Sequence, residues 1–228
     1  MDDFVNIIER LRAKDGCPWD REQTHLSLRP CMSEESAELL NAIRIYDKTG
    51  NAENMQEELG DILLQVVMHS VIAKEEGLFC LEDVINEVSE KMIHRHPHVF
   101  GDEHIIDGNQ QLKRWEELKK EEKQGKEWVT TPLRDIPMEL PALIRATKVC
   151  KKVQTVYQQE YDYVNEIDKL KDLSEQLSKT DPVTEKEQVE NLMGEMLLTQ
   201  CKIASLYRLT LEQELNDTIE EIIEKYEP

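Results

Sequence analysis

Glycine is scarce in this chain of 228 residues, with eight copies, and aromatic side chains make up only 5% of it. A sheet protein draws on aromatic and β-branched residues for its strands and on glycine for its turns. Their shortage, beside abundant Glu, Lys and Leu, points to helices, and no segment alternates with period two. The expected fold class is all-α. Basic residues are outnumbered, 28 Lys and Arg against 48 Asp and Glu, leaving a formal charge of -20. That surface repels polyanions, so neither nucleic acid nor an anionic membrane surface is an expected partner, and a phosphate ligand needs a metal to reach it. No apolar run approaches membrane-spanning length. The start, Met1-Asp2-Asp3-Phe4, lacks the basic-then-apolar pattern of a secretion signal. Five cysteines, an odd number with no Cys-x-x-Cys pair, suit reduced thiols in the cytoplasm better than a disulfide framework or a structural zinc. At 39% hydrophobic and 33% charged the composition is globular rather than disordered.

Apolar periodicity and breakers predict helices over 4–14, from just after Pro30 to Tyr46 with Ser33 as N-cap, and over 53–76, 82–94 and 110–123. Residues 124–132 read as a linker. Helices over 138–159, 165–178, 185–207 and 211–226 follow. Leu59-Gly60-Asp61-Ile62-Leu63-Leu64 returns faintly as Met193-Gly194-Glu195-Met196-Leu197-Leu198, which suggests two related helical units, 1–126 and 127–228.

Two acid-x-x-acid pairs, Glu35-x-x-Glu38 and Glu58-x-x-Asp61, put carboxylates on one helix face, where they can share a hard cation. Spacing alone is weak, since a chain this acidic holds about ten such pairs by chance on solvated faces, Glu87-x-x-Glu90 and Glu221-x-x-Glu224 among them. The surroundings separate the two. The segment from Leu59 to Ala73 is apolar nearly all round and carries no basic residue, and Glu58, Asp61, Gln65 and His69 form one polar stripe along it. On the preceding helix Met32, Leu39, Ile43 and Tyr46 define an apolar face, with Glu35 near its centre and Glu38 on its edge. Buried anions cost several kcal/mol each unless paired or metal-bound. Mg²⁺, which takes oxygen ligands and keeps waters or phosphates, fits the four acids, and an ordinary polar seam between subunits is the alternative. A ferritin-like di-iron centre wants two Glu-x-x-His motifs, and here there is one, Glu22-x-x-His25, in a polar connector.

Cys17-Pro18-Trp19-Asp20-Arg21-Glu22-Gln23-Thr24-His25, Leu28-Arg29-Pro30, Glu34-Glu35-x-x-Glu38, Glu57-Glu58-Leu59-Gly60-Asp61 and Arg95-His96-Pro97-His98-Val99-Phe100 together resemble the MazG nucleoside triphosphate pyrophosphohydrolases. The resemblance covers about residues 5–125, and Leu140 to Lys148 resemble the start of that family's second repeat. It implies an all-α fold related to the dimeric dUTPases, Mg²⁺-dependent cleavage of a nucleoside triphosphate to monophosphate and pyrophosphate, with Mn²⁺ as a possible substitute, and a homodimer. Glu35, Glu38, Glu58 and Asp61 would hold the metal, the same four that the helix faces select. Glu34 or Glu38 would deprotonate the water. Where the second repeat should carry Glu-x-x-Asp, the chain has Leu192-x-x-Glu195, preceded by Asp172-x-x-Glu175, so that repeat is expected to be a degenerate copy without its own metal.

Lys91 and Arg95, four apart near a helix end, match the family's Lys-x-x-x-Arg position for phosphate, and Trp115 and Lys119 resemble its base-stacking and phosphate-contacting positions. Solvated lysines and a packing tryptophan are the plainer readings. Trp19, after Pro18 in a rigid turn, either walls the nucleotide site or caps the core. His94, His96 and His98 alternate around Pro97 and fit a helix terminus better than a zinc site. The competing functional reading is a non-catalytic helical module for interaction or nucleotide sensing.

Overall fold

With Pro30 in its first turn, the helix expected to start at an N-cap Ser33 begins earlier, at Arg29. The computed structural model, which describes residues 2–103, 107–123 and 131–227, contains eleven helices and no strand among them. The order is α1 (Asp2–Arg12), α2 (Pro18–Glu22), α3 (Arg29–Thr49), α4 (Glu53–Glu75), α5 (Leu81–Arg95), α6 (Pro97–Phe100), α7 (Gly108–Lys123), α8 (Ala142–Tyr157), α9 (Tyr163–Lys179), α10 (Lys186–Tyr207) and α11 (Leu211–Tyr226). Pro18 and Pro97 open the short helices α2 and α6, because proline's fixed φ suits a first helical turn. Pro141 likewise delays α8 to Ala142. Residues 124–130 of the expected linker, and with them the expected 126/127 boundary, lie outside the described residues. The chain divides into two compact units, Met1–Glu122 and Lys123–Pro228.

In the first unit α3 and α4 form a long hairpin. Gly50 makes it possible: its φ of +72° ends α3 in the left-handed region, with its N–H bonded to Tyr46 O at 2.8 Å. The C-terminal half of α4 supplies the core, Val67, Met68, Val71 and Ile72, packed with Ile8 of α1, Leu28 and Leu81. The expectation that α4 is buried all round holds only for that half, since Leu59 is 51% and Leu63 37% exposed. Ile43 and Tyr46, expected on the buried face of α3, are each 45% exposed.

Arg12, buried at the end of α1, ties the unit together. Its guanidinium donates to Glu75 of α4 at 3.0 and 2.6 Å, and to the carbonyls of Asp20 and Gln23 at 2.6 and 3.1 Å. The turn feeding this staple is close-packed: a Cβ on Gly16 would lie 2.3 Å from Leu11 O, so only glycine lets the chain fold back onto α1.

The second unit centres on α10, which packs against α8 and α9, while α11 lies on α8. Asp162 caps α9 by accepting the Asn165 N–H at 3.0 Å. Cys150, Leu173, Leu192, Thr199, Cys201 and Ala204 are buried there, with one ion pair, Lys202 to Glu166 at 3.4 Å, at the edge. The α8 and α10 thiols are free, and burial pushes both above the usual cysteine range.

Candidate active site

The hairpin brings Glu35 and Glu38 of α3 together with Glu58 of α4. Carboxylate oxygens of Glu35, Glu38 and Glu58 lie within 4.8 Å of one another, the one such group of His, Cys, Asp or Glu with metal-ligand spacing among the described residues. Glu58 is 9% exposed, and its Oε1 accepts the Asn54 amide at 2.8 Å, which orients it from one turn earlier. Asp61 stands outside the 4.8 Å group but acts on it. The Glu35 carboxyl is held above the ordinary glutamate range, first by burial, then by the charges of Asp61, Glu38, Glu58 and Glu34. Glu34 is exposed on the outer side of α3. These acids raise one another's energy, and an oxygen-loving divalent cation at their centre relieves all of them at once. The donor set therefore fits Mg²⁺.

The polar stripe of α4 continues past the acids. Gln65 is 6% exposed, and its Oε1 has no hydrogen-bond partner. His69, one turn on, meets His25 of the α2–α3 connector, Nδ1 to Nδ1 at 2.8 Å. His25 thus belongs to neither a di-iron motif nor the carboxylate group.

The basic and aromatic candidates gather at the junction of α5, α6 and α7. Arg95 grips Glu122 through Nε, at 3.0 and 3.2 Å to its two oxygens, and this pairing holds the Glu122 carboxyl below its ordinary range. The guanidinium also lies 5.0 Å from the centre of the Trp115 ring, which His96 meets edge-on at 5.1 Å. Trp115 is thus engaged by two neighbours, and Arg95 fastens α7 to the end of α5. Lys91 is held more loosely, by an exposed pair with Glu87 at 3.3 Å. Lys119 is half-buried one turn beyond Trp115. Trp19, in the short helix α2, is 59% exposed, so it does not cap the core of this unit. His96 Nδ1 donates to Met92 O at 2.7 Å, terminating α5, and His98 Nδ1 is buried without a partner. The three histidines form no metal cluster among the described residues.

In the second unit the corresponding acids do not converge. Glu195, the counterpart of Asp61 in the faint repeat, is bound to Lys169 of α9 at 3.1 Å, Glu175 to Lys179, and Leu192 is buried in the apolar core.

Residues 23–100 match the family model described as the MazG nucleotide pyrophosphohydrolase domain. A Thermotoga maritima protein named nucleoside triphosphate pyrophosphohydrolase/pyrophosphatase MazG is 34% identical over 226 residues, 99% of this chain and 84% of the relative. The chain belongs to the MazG family. An Escherichia coli K12 nucleoside triphosphate pyrophosphohydrolase is 41% identical over 157 residues, 68% of this chain and 58% of the relative. Bacillus subtilis YabN is 49% identical over 148 residues, 65% of this chain but only 29% of the relative. This MazG-family chain therefore spans less than two thirds of the length of two of these relatives. The matched domain contains Glu34, Glu35, Glu38, Glu58, Asp61, Lys91 and Arg95, and ends before Trp115 and Lys119.

Proposed function

We propose that this chain is a Mg²⁺-dependent nucleoside triphosphate pyrophosphohydrolase that cleaves NTP to NMP and pyrophosphate, with its active site in the first unit. The observation that carries the reading is the convergence of Glu35, Glu38 and Glu58, with Asp61 beside them, on a hairpin inside the matched domain. The names of the Thermotoga and Escherichia relatives support the activity.

Glu35, Glu38, Glu58 and Asp61 would hold the metal, Mg²⁺ or in its place Mn²⁺, which would supply charge neutralisation for the polyphosphate and lower the pKa of water. Glu38 or Glu34 would take the proton of the water that attacks the α phosphorus, with the bridging oxygen leaving on pyrophosphate. Pyrophosphate leaves, and the donors that meet it come from α5 and α7. Lys91 is the readiest of these, because its exposed pair with Glu87 is worth about 0.5 kcal/mol and exchanges freely for phosphate. Arg95 must first leave a bidentate carboxylate, so it serves the tail only if α7 shifts, and otherwise holds Trp115 in place. Lys119 completes the set beside the Trp115 ring, and Trp19, outside the core, is free to line the nucleotide.

The exposed apolar residues on α3 and α4, Leu40 and Ile43 with Leu59 and Leu63, support assembly as a homodimer through the hairpin that carries the acids. A cytoplasmic setting agrees with five free thiols. The second unit reads as a degenerate copy, because Leu192 stands where Glu58 would and the acids Glu195 and Glu175 are paired with Lys169 and Lys179. A fragment ending near residue 126 should therefore retain Mg²⁺-dependent pyrophosphate release within about tenfold of the full chain, a difference of about 1.4 kcal/mol. Turnover by residues 127–228 with a folded but inert N-terminal fragment contradicts this.

A further inference from the structure

His25 and His69 are 44 residues apart in the chain, and their rings meet at an Nδ1 to Nδ1 distance of 2.8 Å. The ring planes differ by 5° and the centroids are 5.1 Å apart. That separation equals the nitrogen–nitrogen distance plus one ring radius at each end, so both nitrogens lie on the line between the centroids. The rings are coplanar and edge to edge, each Nδ1 aimed at the other. A cation bound by both would need about 2 Å to each nitrogen along those lone pairs, more than the gap allows. What fits between them is a proton.

Four ring nitrogens share the protons, and counting them defines the states of the pair. With two protons both rings are neutral, and one Nδ1–H donates to the other Nδ1. Glu76 Oε2, 3.8 Å from His25 Nε2, favours a proton on that nitrogen, which makes His25 Nδ1 the acceptor and His69 Nδ1–H the donor. A third proton still leaves one Nδ1–H facing one bare Nδ1 and makes the bond charge-assisted. A fourth puts hydrogens on both facing nitrogens and a positive charge on both rings, and the contact cannot survive it. Burial and the neighbouring His25 hold His69 below the ordinary histidine range.

We propose that the His25–His69 pair is a proton-sharing latch that positions the α2–α3 connector, and through it the α3 acids, against α4, and that it opens when both rings are protonated. The connector is built to move as one piece. Thr24 and Ser27 close a turn on each other, with N–H to hydroxyl distances of 2.9 and 3.1 Å. Arg12 holds one end at Gln23 O, and Leu28, buried in the core, holds the other where α3 begins. Between these two points His25 ties the connector to α4 through His69 and, just past its end, to Glu76. The charged groups around it are otherwise engaged: Arg12 of α1 with Glu75, Lys74 with Glu9 of α1, and Glu76 facing His25. The α3 groups nearest in sequence, Arg29 and Cys31, lie past Leu28.

The test follows imidazole ¹⁵N signals of the full chain against pH, with amide exchange of residues 24–28 beside it. The wild-type pair should show one protonated and one bare Nδ1 at neutral pH, and two titration steps separated by at least about one pH unit. Below the lower step, exchange at 24–28 should rise at least about tenfold beyond its intrinsic pH dependence, as local opening allows. His69→Gln and His25→Gln, whose amides can bridge without titrating, should each leave the remaining ring a single step and suppress that rise. Two rings titrating together as independent histidines, or exchange indifferent to the second proton, overturns the latch. The link to the α3 acids rests on the proposed hydrolase reading, and there the acid fall in pyrophosphate release, measured against each protein's own neutral rate, should flatten in both variants. An unchanged acid limb overturns that link, whereas a chain with no such release at any pH fails the hydrolase reading and leaves the spectroscopic result standing.

Discussion

Glu38→Ala and Asp61→Ala should each lower Mg²⁺-dependent pyrophosphate release by about 10³-fold or more, a loss of about 4 kcal/mol of transition-state stabilisation. The two residues approach the site from different helices. Glu38 is an exposed member of the group whose oxygens lie within 4.8 Å, and Asp61 is the leading charge on Glu35 from across the hairpin. Neither contributes to the apolar core, which lies a full half-helix further along α4. Truncation therefore removes chemistry without opening a cavity. Both variants should also melt no lower than wild type in the absence of metal, because each deletes a like charge from a cluster that repels itself. Steady-state kinetics paired with thermal melts in EDTA reads both halves, and full activity in either variant removes the site assignment.

The second large effect is a reversal of pH dependence by Mg²⁺. In the metal-free protein Glu35 has a raised folded pKa, so between the ordinary glutamate pKa and that raised value the folded state binds more protons than the unfolded one. Its contribution to stability is present below the ordinary value and is lost as pH rises through the folded one. Saturating Mg²⁺ needs the ionised acids, so bound metal stabilises most at high pH and is displaced by protons as pH falls. At a free concentration a hundred times its dissociation constant, Mg²⁺ should add about 2.7 kcal/mol. His69 acts in the opposite sense to Glu35, since its folded pKa is lowered and its contribution disappears as pH falls below the ordinary histidine value. Subtracting the melts of Glu35→Gln from those of wild type isolates the carboxylate. If Mg²⁺ leaves the melting point of wild type where EDTA leaves it, the acids hold no metal.

Helix-period reasoning singled out the acids that the hairpin brings together because their spacing is local. Glu35 and Glu38 lie one turn apart, as do Glu58 and Asp61, and a three-residue link between α3 and α4 leaves the helices no choice but to lie side by side. The acids were legible for the further reason that an apolar segment with no basic residue makes a carboxylate conspicuous. Long-range pairings were not. Arg95 and Glu122 are 27 residues apart, each on a helix face that reads as ordinary charged surface, so the bond that occupies Arg95 and sets the Trp115 environment has no sequence signal. His69 was visible as the last polar residue of the α4 stripe, while its partner His25 sat in a connector without periodicity. Apolar periodicity also cannot distinguish a face packed within one chain from a face left exposed, which is why Leu59, Leu63, Ile43 and Tyr46 looked buried.

The most direct measurement incubates the full chain with a panel of nucleoside triphosphates, canonical and modified, and resolves the products with Mg²⁺ and with EDTA. The proposed reading predicts cleavage between the α and β phosphates, with monophosphate and pyrophosphate appearing in equal amounts from at least one substrate and only when Mg²⁺ is present. Release of orthophosphate and diphosphate, or no product from any member of the panel, contradicts it.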